Sequence, residues 1–376
     1  MHKVIVAPFL DSYVALHPGS KKAVKLPHWR YRELTDLASD APVPEWLTDI
    51  ARRAWNLDLT GIPVTPTLLR RQPSPFGHGR ASYELNMGCN FGCKHCYLGP
   101  KPFSGLTWPE RDRLLHLLRD AGVVWLQLTG GEPTIDPHFL AVYQRASELG
   151  MMLEILTNGS RLHYRPILEA LIAQRPHRIT VSLYGATETS FDELTQRRGA
   201  WNSFIRGLDA AQEASLPIDV SIIVTRDNAD ELDAMKAFTE DRGLTYGVFS
   251  NMSPTIGGKD LPLSSQVPEL IRKRPPFTGC DAGRTSMHID PHGKASTCKI
   301  ARTPSIDLLS DGLDGLARLA GISDDLLQRT RGCSGCKLSG TCSTCTPLAE
   351  LYRSANASRA VYCQHPDPAP DAPERR

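Results

Sequence analysis

From Ala81 onward the chain alternates between short apolar runs and longer segments whose apolar residues recur at helical spacing. The short runs are ASYELNMG, WLQLTGG, MLEILTNG, RITVSLYG, PIDVSIIV and TYGVFSN, and segments such as WPERDRLLHLLRDAG and DPHFLAVYQRASELG separate them. The first kind predicts strands and the second amphipathic helices. Six such units predict a parallel sheet, because parallel neighbours need a crossover between them. Several runs end in glycine or polar residues: Gly88, Gly130-Gly131, Asn158-Gly159, and Ser182 to Gly185. Ligands in parallel α/β folds gather at the carboxyl ends of strands. Those ends are therefore where chemistry is expected.

The pattern differs on either side of this unit. In residues 1–62, KVIVAP, SYVALHP and KAVKLP read as strands, with His17-Pro18-Gly19-Ser20 as a turn signal. HWRYRELTDLASD and PEWLTDIARRAWNLDL read as helices, the second entered through Pro44 and Glu45. Together they predict a small α+β domain. The proline-rich stretch 63–80 predicts a linker to the α/β unit of residues 81–253. In residues 254–365 the periodicity fails, and seven of the ten cysteines lie there. So long a stretch without patterning needs more than its own core to organise it. The tail 366–376, PDPAPDAPERR, has the composition of disordered chain.

Composition narrows the class. The chain has 376 residues, 41% hydrophobic and 22% charged, enough to bury a core without disulfide staples. Its 43 basic and 41 acidic residues leave a net charge of +2, which gives no support for a nucleic-acid or membrane-surface partner. Pro8 and Asp11 break the first apolar run, so the pattern of a secretory signal is missing. No apolar segment reaches the roughly 18–20 residues of a membrane span. A cytoplasmic protein is expected, with no nucleic-acid and no membrane partner. In a reducing compartment, ten cysteines favour metal or cluster binding over disulfides.

The stretch CNFGCKHCY places Cys89, Cys93 and Cys96 directly after the first strand of the α/β unit. Three thiolates on one tight loop can converge on a single cluster, and three ligands leave one iron of a [4Fe–4S] cluster open. Structural zinc prefers a closed set of four, which His95 would have to complete.

Cys-x3-Cys-x2-Cys, with aromatic His95 before the third cysteine, resembles the signature of the radical S-adenosylmethionine (SAM) enzymes. The six β/α units resemble that family's partial (β/α)6 TIM-like barrel. Gly130-Gly131-Glu132-Pro133 at the end of the second strand is similar to the family's GGEP motif, which implies contact with the amino group of SAM. The glycines permit close backbone approach to a ligand, and Glu132 or a nearby carbonyl can hold a cation. By the same resemblance, Asn158 and Ser182 would meet the ribose or carboxylate of SAM. Arg198 would pair with the carboxylate. Taken without the family, Asn158 supplies turn geometry and Arg198 a solvated helix charge.

The cysteines of the last third also follow a pattern. Cys280, twelve residues, Gly293, four residues and Cys298 precede the run GCSGCKLSGTCSTC, and Cys363 follows. This resembles the seven-cysteine SPASM extension of radical SAM enzymes. One departure is that two residues, not three, separate Cys342 from Cys345. The resemblance implies two auxiliary [4Fe–4S] clusters: an outer one on Cys333, Cys336, Cys342 and Cys363, and an inner one on Cys280, Cys298 and Cys345. The inner one would have an open fourth position, or a carboxylate there such as Asp281. On residue types alone, His288, His292 and His365 would also allow zinc sites.

The resemblance spans roughly residues 81–365. It implies reductive cleavage of SAM to methionine and a 5′-deoxyadenosyl radical, which takes hydrogen from an unactivated carbon. SPASM proteins most often act on peptides, and residues 1–62 resemble, in pattern, a winged-helix-like domain that takes a leader peptide as an added strand. The expected function is a ribosomal-peptide maturase that installs a carbon–carbon or thioether cross-link or a related oxidation. Its expected partners are a precursor peptide and an electron donor such as flavodoxin or ferredoxin. Two alternatives stay open: a radical SAM dehydrogenase of a small molecule, and a non-enzymatic zinc-binding scaffold. No catalytic acid or base is assigned; Tyr184, Tyr246 and Asp281 are candidates by location.

Overall fold

The structure is a computed structural model and describes residues 2–99, 102–272, 280–327, 345–358 and 361–363. The strands β1 (Val4–Phe9), β2 (Ser12–Leu16) and β3 (Ala23–Leu26) form an antiparallel meander. Helices α1 (His28–Thr35) and α2 (Glu45–Trp55) follow. Helix α2 begins after Pro44, as its sequence predicts, and Asn56 ends it in the left-handed conformation. After the single turn α3 (Val64–Thr67), β4 (Leu68–Arg70) returns parallel to β1, giving the order β3-β2-β1-β4. Part of the stretch expected as a linker is thus a strand. Its prolines mark a connection, but Leu68 and Leu69 meet the edge of β1, which only the fold provides.

The second sheet carries the six predicted strands. They are β5 (Arg80–Glu84), β6 (Trp125–Thr129), β7 (Met152–Thr157), β8 (Arg178–Leu183), β9 (Ile218–Ile223) and β10 (Thr245–Phe249). All run parallel and neighbour one another in chain order. The crossovers are α4 (Trp108–Asp120), α5 (Phe139–Glu148), α6 (Arg165–Ala173), the pair α7 (Glu188–Thr195) and α8 (Ala200–Glu213), and α9 (Leu232–Asp241). Helix α4 starts where Thr107 donates its N–H and hydroxyl to Glu110, at 2.8 and 2.7 Å. Tyr83, Leu128, Ile155, Val181 and Val220 share one core with helix residues such as Leu114, Phe139 and Phe204. The alternate strand positions, among them Ser82, Glu84, Gln127, Glu154 and Arg178, face away from the helices. This is the α/β parallel-sheet architecture expected.

Beyond β10, three short strands extend the sheet on its other side. β11 (Ser286–Ile289) pairs parallel with β5, and β12 (Lys294–Ser296) and β13 (Ile306–Asp307) add antiparallel. Their lengths of four, three and two residues are too short to show a period, so the sequence reads as unpatterned there. Helices α10 (Leu308–Leu316), α11 (Leu319–Leu327) and α12 (Thr346–Ser354) follow. Among the described residues no helix is long and apolar enough to cross a membrane.

Strand β1 explains how the two sheets join, because its successive side chains point to opposite faces. Val4 and Val6 pack with Tyr31, Leu34, Leu47 and Ala51 of α1 and α2. Ile5 and Ala7 pack with Val124, Trp125 and Met152, at the starts of β6 and β7. Lys21, in the β2–β3 turn, pairs with Asp219 of β9 at 3.1 Å. The small sheet therefore sits on the amino ends of the parallel strands, opposite the ends that carry the motifs.

Candidate active site

The three-cysteine loop leaves β5 and is gripped by the backbone that leaves β6. Gly131 N–H donates to the Asn86 carbonyl at 3.0 Å, and Glu132 N–H to the Gly88 carbonyl at 2.9 Å. A Cβ on Gly131 would stand 2.1 Å from the Gly88 carbonyl oxygen and 2.3 Å from that of Met87. One on Gly130, where φ is +138°, would stand 2.2 Å from the Asn86 oxygen. The paired glycines thus serve a close approach of protein to protein, and through it they set the position of the cysteine loop.

Glu132 is fully buried. Its carboxylate accepts from Thr134 N–H at 3.0 Å, Thr157 Oγ1 at 2.7 Å, Asn158 N–H at 2.7 Å, and the Thr134 hydroxyl. Burial pushes the carboxyl above its ordinary value, and the hydrogen bonds from Asn158, Thr134 and Thr157 oppose that rise. Both oxygens are committed to protein donors, so this side chain ties the ends of β6 and β7 together. Asn158, so held, donates from Nδ2 to Asn90 Oδ1 at 2.9 Å and reaches Cys89 Sγ at 3.9 Å. Its Oδ1 also accepts the Ser160 N–H at 3.0 Å, so it does shape the turn.

Tyr184, two residues past Ser182, closes the other side. Burial raises its phenol well above the ordinary value; the Cys93, Cys89 and Cys96 thiols add to the rise, and a hydrogen bond with Ser182 opposes it. Its ring lies 5.4 Å from that of His95. The loop cysteines, Gly130 to Glu132, Asn158 and Ser182 are thus gathered at one end of the sheet. Arg198 is exposed and lines, with Arg161, Arg197 and Arg206, a cavity beside the cysteine loop that also takes in Asn90 and Phe91. Tyr246 is engaged elsewhere, donating to Glu240 at 2.6 Å on the neighbouring α9.

Do these residues fit a cluster? Among the described residues no three His, Cys, Asp or Glu side chains form a ready metal-binding group. The donor chemistry nevertheless suits iron–sulfur ligation. Cys89, Cys93 and Cys96 are half-buried cysteines on one loop, and Cys89 Sγ accepts the Phe91 N–H at 3.4 Å. Such N–H···S contacts support and tune thiolate-bound clusters. The same arrangement recurs at Cys280, which accepts from Ala282 N–H at 3.4 Å, and at Cys298, which accepts from Ala301 N–H at 3.3 Å. Gly293, at φ +80°, makes the turn between β11 and β12. Cys345 and Cys363 are half-buried. Cys333, Cys336, Cys342, His365 and the tail 366–376 lie outside the described residues. Asp281 and His292 are exposed. His288 is buried, with Nδ1 at 2.8 Å from Ser82 Oγ and Nε2 at 3.5 Å from Glu84, which makes it a packed strand residue rather than a free ligand.

Sequence reasoning missed a charged layer on the inner face of the sheet. Arg302 makes a two-pronged pair with Glu84, both contacts 2.8 Å, and Lys299 donates to Gln127 at 2.9 Å. Gln127 lies 3.4 Å from Glu154, which pairs with Arg178 at 2.9 Å. The loop that follows Cys298 is therefore anchored on strands β5 and β6. A signal was present: Ser82, Glu84, Gln127, Glu154 and Arg178 occupy the polar alternate positions of otherwise apolar strands.

Residues 83–239 match the family model of the Radical SAM superfamily, so the chain carries a radical SAM enzyme domain. Particular relatives sharpen this. The AdoMet-dependent heme synthase of Methanosarcina barkeri (strain Fusaro / DSM 804) is 27% identical over 45% of this chain and 49% of its own length. The mycofactocin maturase MftC of Mycobacterium ulcerans (strain Agy99) is 25% identical over 65% of this chain and 77% of its own. Four of the curated relatives are matched over 47–64% of their length, so the chain spans about half of them. The fold is shared with Streptococcus suis SuiB bound to precursor peptide SuiA, at a TM-score of 0.50 and 16% identity, over 96% of this chain and 99% of that one.

Proposed function

We propose that this chain is a radical SAM peptide maturase of the SPASM type. In this reading Cys89, Cys93 and Cys96 hold a [4Fe–4S] cluster with SAM on its open iron, and the other seven cysteines hold two auxiliary clusters. When bound, the cluster and SAM supply a 5′-deoxyadenosyl radical that takes hydrogen from a precursor-peptide carbon, leading to a carbon–carbon or thioether cross-link or a related oxidation. The chain's own groups do the positioning. Gly130 and Gly131 set the cysteine loop against β6, Asn158 braces Cys89, and Tyr184 with His95 walls the site. Arg198 is assigned to the SAM carboxylate.

The observation that carries the peptide assignment is the amino-terminal sheet. Among the described residues β3 pairs only with β2, so its outer edge is open to an added strand. The named maturase among the relatives agrees with this reading. The test is hydrogen exchange on the full chain with short peptides encoded beside its gene. Binding with new protection confined to residues 23–26 and the peptide is expected; no binding by any of them would overturn the assignment.

A second reading, oxidation of a small molecule, draws on the similarity to the heme synthase. SAM cleavage that proceeds without any peptide and yields a dehydrogenated small molecule would favour it. A zinc scaffold is tested by metal analysis after anaerobic purification. About a dozen irons per chain fit three [4Fe–4S] clusters, whereas zinc without iron ends the radical reading.

A further inference from the structure

A cavity of about 490 Å³ opens between the turn after β7 and the turn before α8, lined by Arg161, Arg197, Arg198, Arg206 and His163 together with Asn90. Among the described residues no carboxylate lines it. None of the four guanidinium groups has an ion-pair partner among the described residues, whereas Arg111, Arg178, Arg242 and Arg302 each have one. The whole chain carries only +2, so four unneutralised arginines at one opening form a local field, not a share of a generally basic surface. The amino terminus of α8 is not its source. Asp192 already accepts the N–H groups of Gly199 and Trp201, at 2.5 and 2.9 Å.

The opening leads to the cysteine loop. Asn90 and Ser160, both in its lining, are joined by a hydrogen bond of 3.0 Å. Asn90 directly follows Cys89, and Asn158 bridges the Asn90 side chain and the Cys89 thiol. A partner seated on these arginines is a few side chains from a cluster ligand.

We propose that this basic opening docks a small acidic electron-transfer protein that reduces the cluster. The proposal rests on the radical SAM reading above. One electron passes from the donor's anionic flavin hydroquinone, leaving the neutral semiquinone, to the cluster, which goes from the 2+ to the 1+ state; no proton moves. Arg161, Arg197 and Arg206 orient the donor by pairing with its surface carboxylates, for which a planar, permanently charged guanidinium is suited, and Arg198 is left to the SAM carboxylate. A phosphate-bearing small ligand would also answer these charges, but the link to Cys89 favours a partner whose task is to reach the cluster.

The experiment uses the anaerobically reconstituted full chain, with flavodoxin as the probe. In the Arg161→Glu/Arg206→Glu variant, the Kd for flavodoxin is expected to weaken at least tenfold at low salt and to lose most of its salt dependence. Cluster reduction by flavodoxin hydroquinone should slow in parallel, while SAM cleavage driven by dithionite stays at the wild-type rate. Arg197→Gln/Arg206→Gln repeats the measurement if charge reversal disturbs folding. An unchanged Kd and salt dependence would overturn the proposal. So would an equal loss of dithionite-driven cleavage, which would assign the arginines to SAM or substrate. A wild-type chain that cleaves no SAM with dithionite would instead defeat the radical SAM reading, and the docking proposal with it.

Discussion

Arg302→Met removes one partner of the most buried charge pair around the Cys298 loop. Glu84 has no solvent exposure, and both its oxygens are held by Arg302 at 2.8 Å, with His288 Nε2 at 3.5 Å. Burial by itself would push the carboxyl up, yet the hydrogen bonds from Arg302 and His288 hold it at about 2, against an ordinary 4.5. The folded value lies below the unfolded one, so this contribution is present above about pH 4.5 and is lost as pH falls toward 2. The gap between the two values corresponds to about 3 kcal/mol. In Arg302→Met a carboxylate stays buried beside a neutral imidazole, for which about 3–5 kcal/mol is expected. Adding Glu84→Gln removes the stranded charge and should recover most of that loss. Urea unfolding at pH 7, followed by tryptophan fluorescence, measures the wild type, both single variants and the double. Between pH 6 and pH 3 the advantage of wild type over Glu84→Gln should shrink. A cost below about 1 kcal/mol for Arg302→Met, or a double variant as unstable as the two singles summed, would refute the reasoning.

Three further outcomes are expected. Gly131→Ala forces a Cβ onto two backbone oxygens, with strain of about 1–3 kcal/mol; iron bound after reconstitution should fall, and unchanged iron and thermal midpoint would contradict the crossing described. Asn158→Ala removes the amide between Asn90 and Cys89, at about 1–3 kcal/mol. It should shift the reduction midpoint of the cluster in spectroelectrochemistry, and an unmoved midpoint would deny Asn158 its bracing role. Ile5→Ala opens a void between the two sheets and should cost about 2–5 kcal/mol, with faster release of the amino-terminal region in limited proteolysis; wild-type resistance would show that the interface does not depend on this side chain.

Particular residues show how far the sequence could be followed. The Cys89, Cys93 and Cys96 spacing and the six β/α units were legible because each is local: a loop of eight residues, or a period repeated along one element. In the sequence, Gly130-Gly131 implies access for a ligand. The structure gives these glycines a further use, since the backbone they meet, at 86–88, follows another strand. Ser182 and Asn158 stand out because each lies at the end of a strand-like run. The motif picks out Arg198, and only the fold shows that Arg161, Arg197 and Arg206 stand around the same opening.

Chain pattern alone decided that there would be a parallel α/β unit, an amino-terminal α+β piece and cysteine sets suited to clusters, because strand and helix periods and ligand spacings are written in adjacent residues. Tertiary structure alone decided which face of the strands turned polar residues inward, that β4 and β11–β13 joined existing edges, and that Arg302 met Glu84 across 218 positions of sequence. Contacts so far apart leave no local period. They form only when packing elsewhere has already brought the segments together.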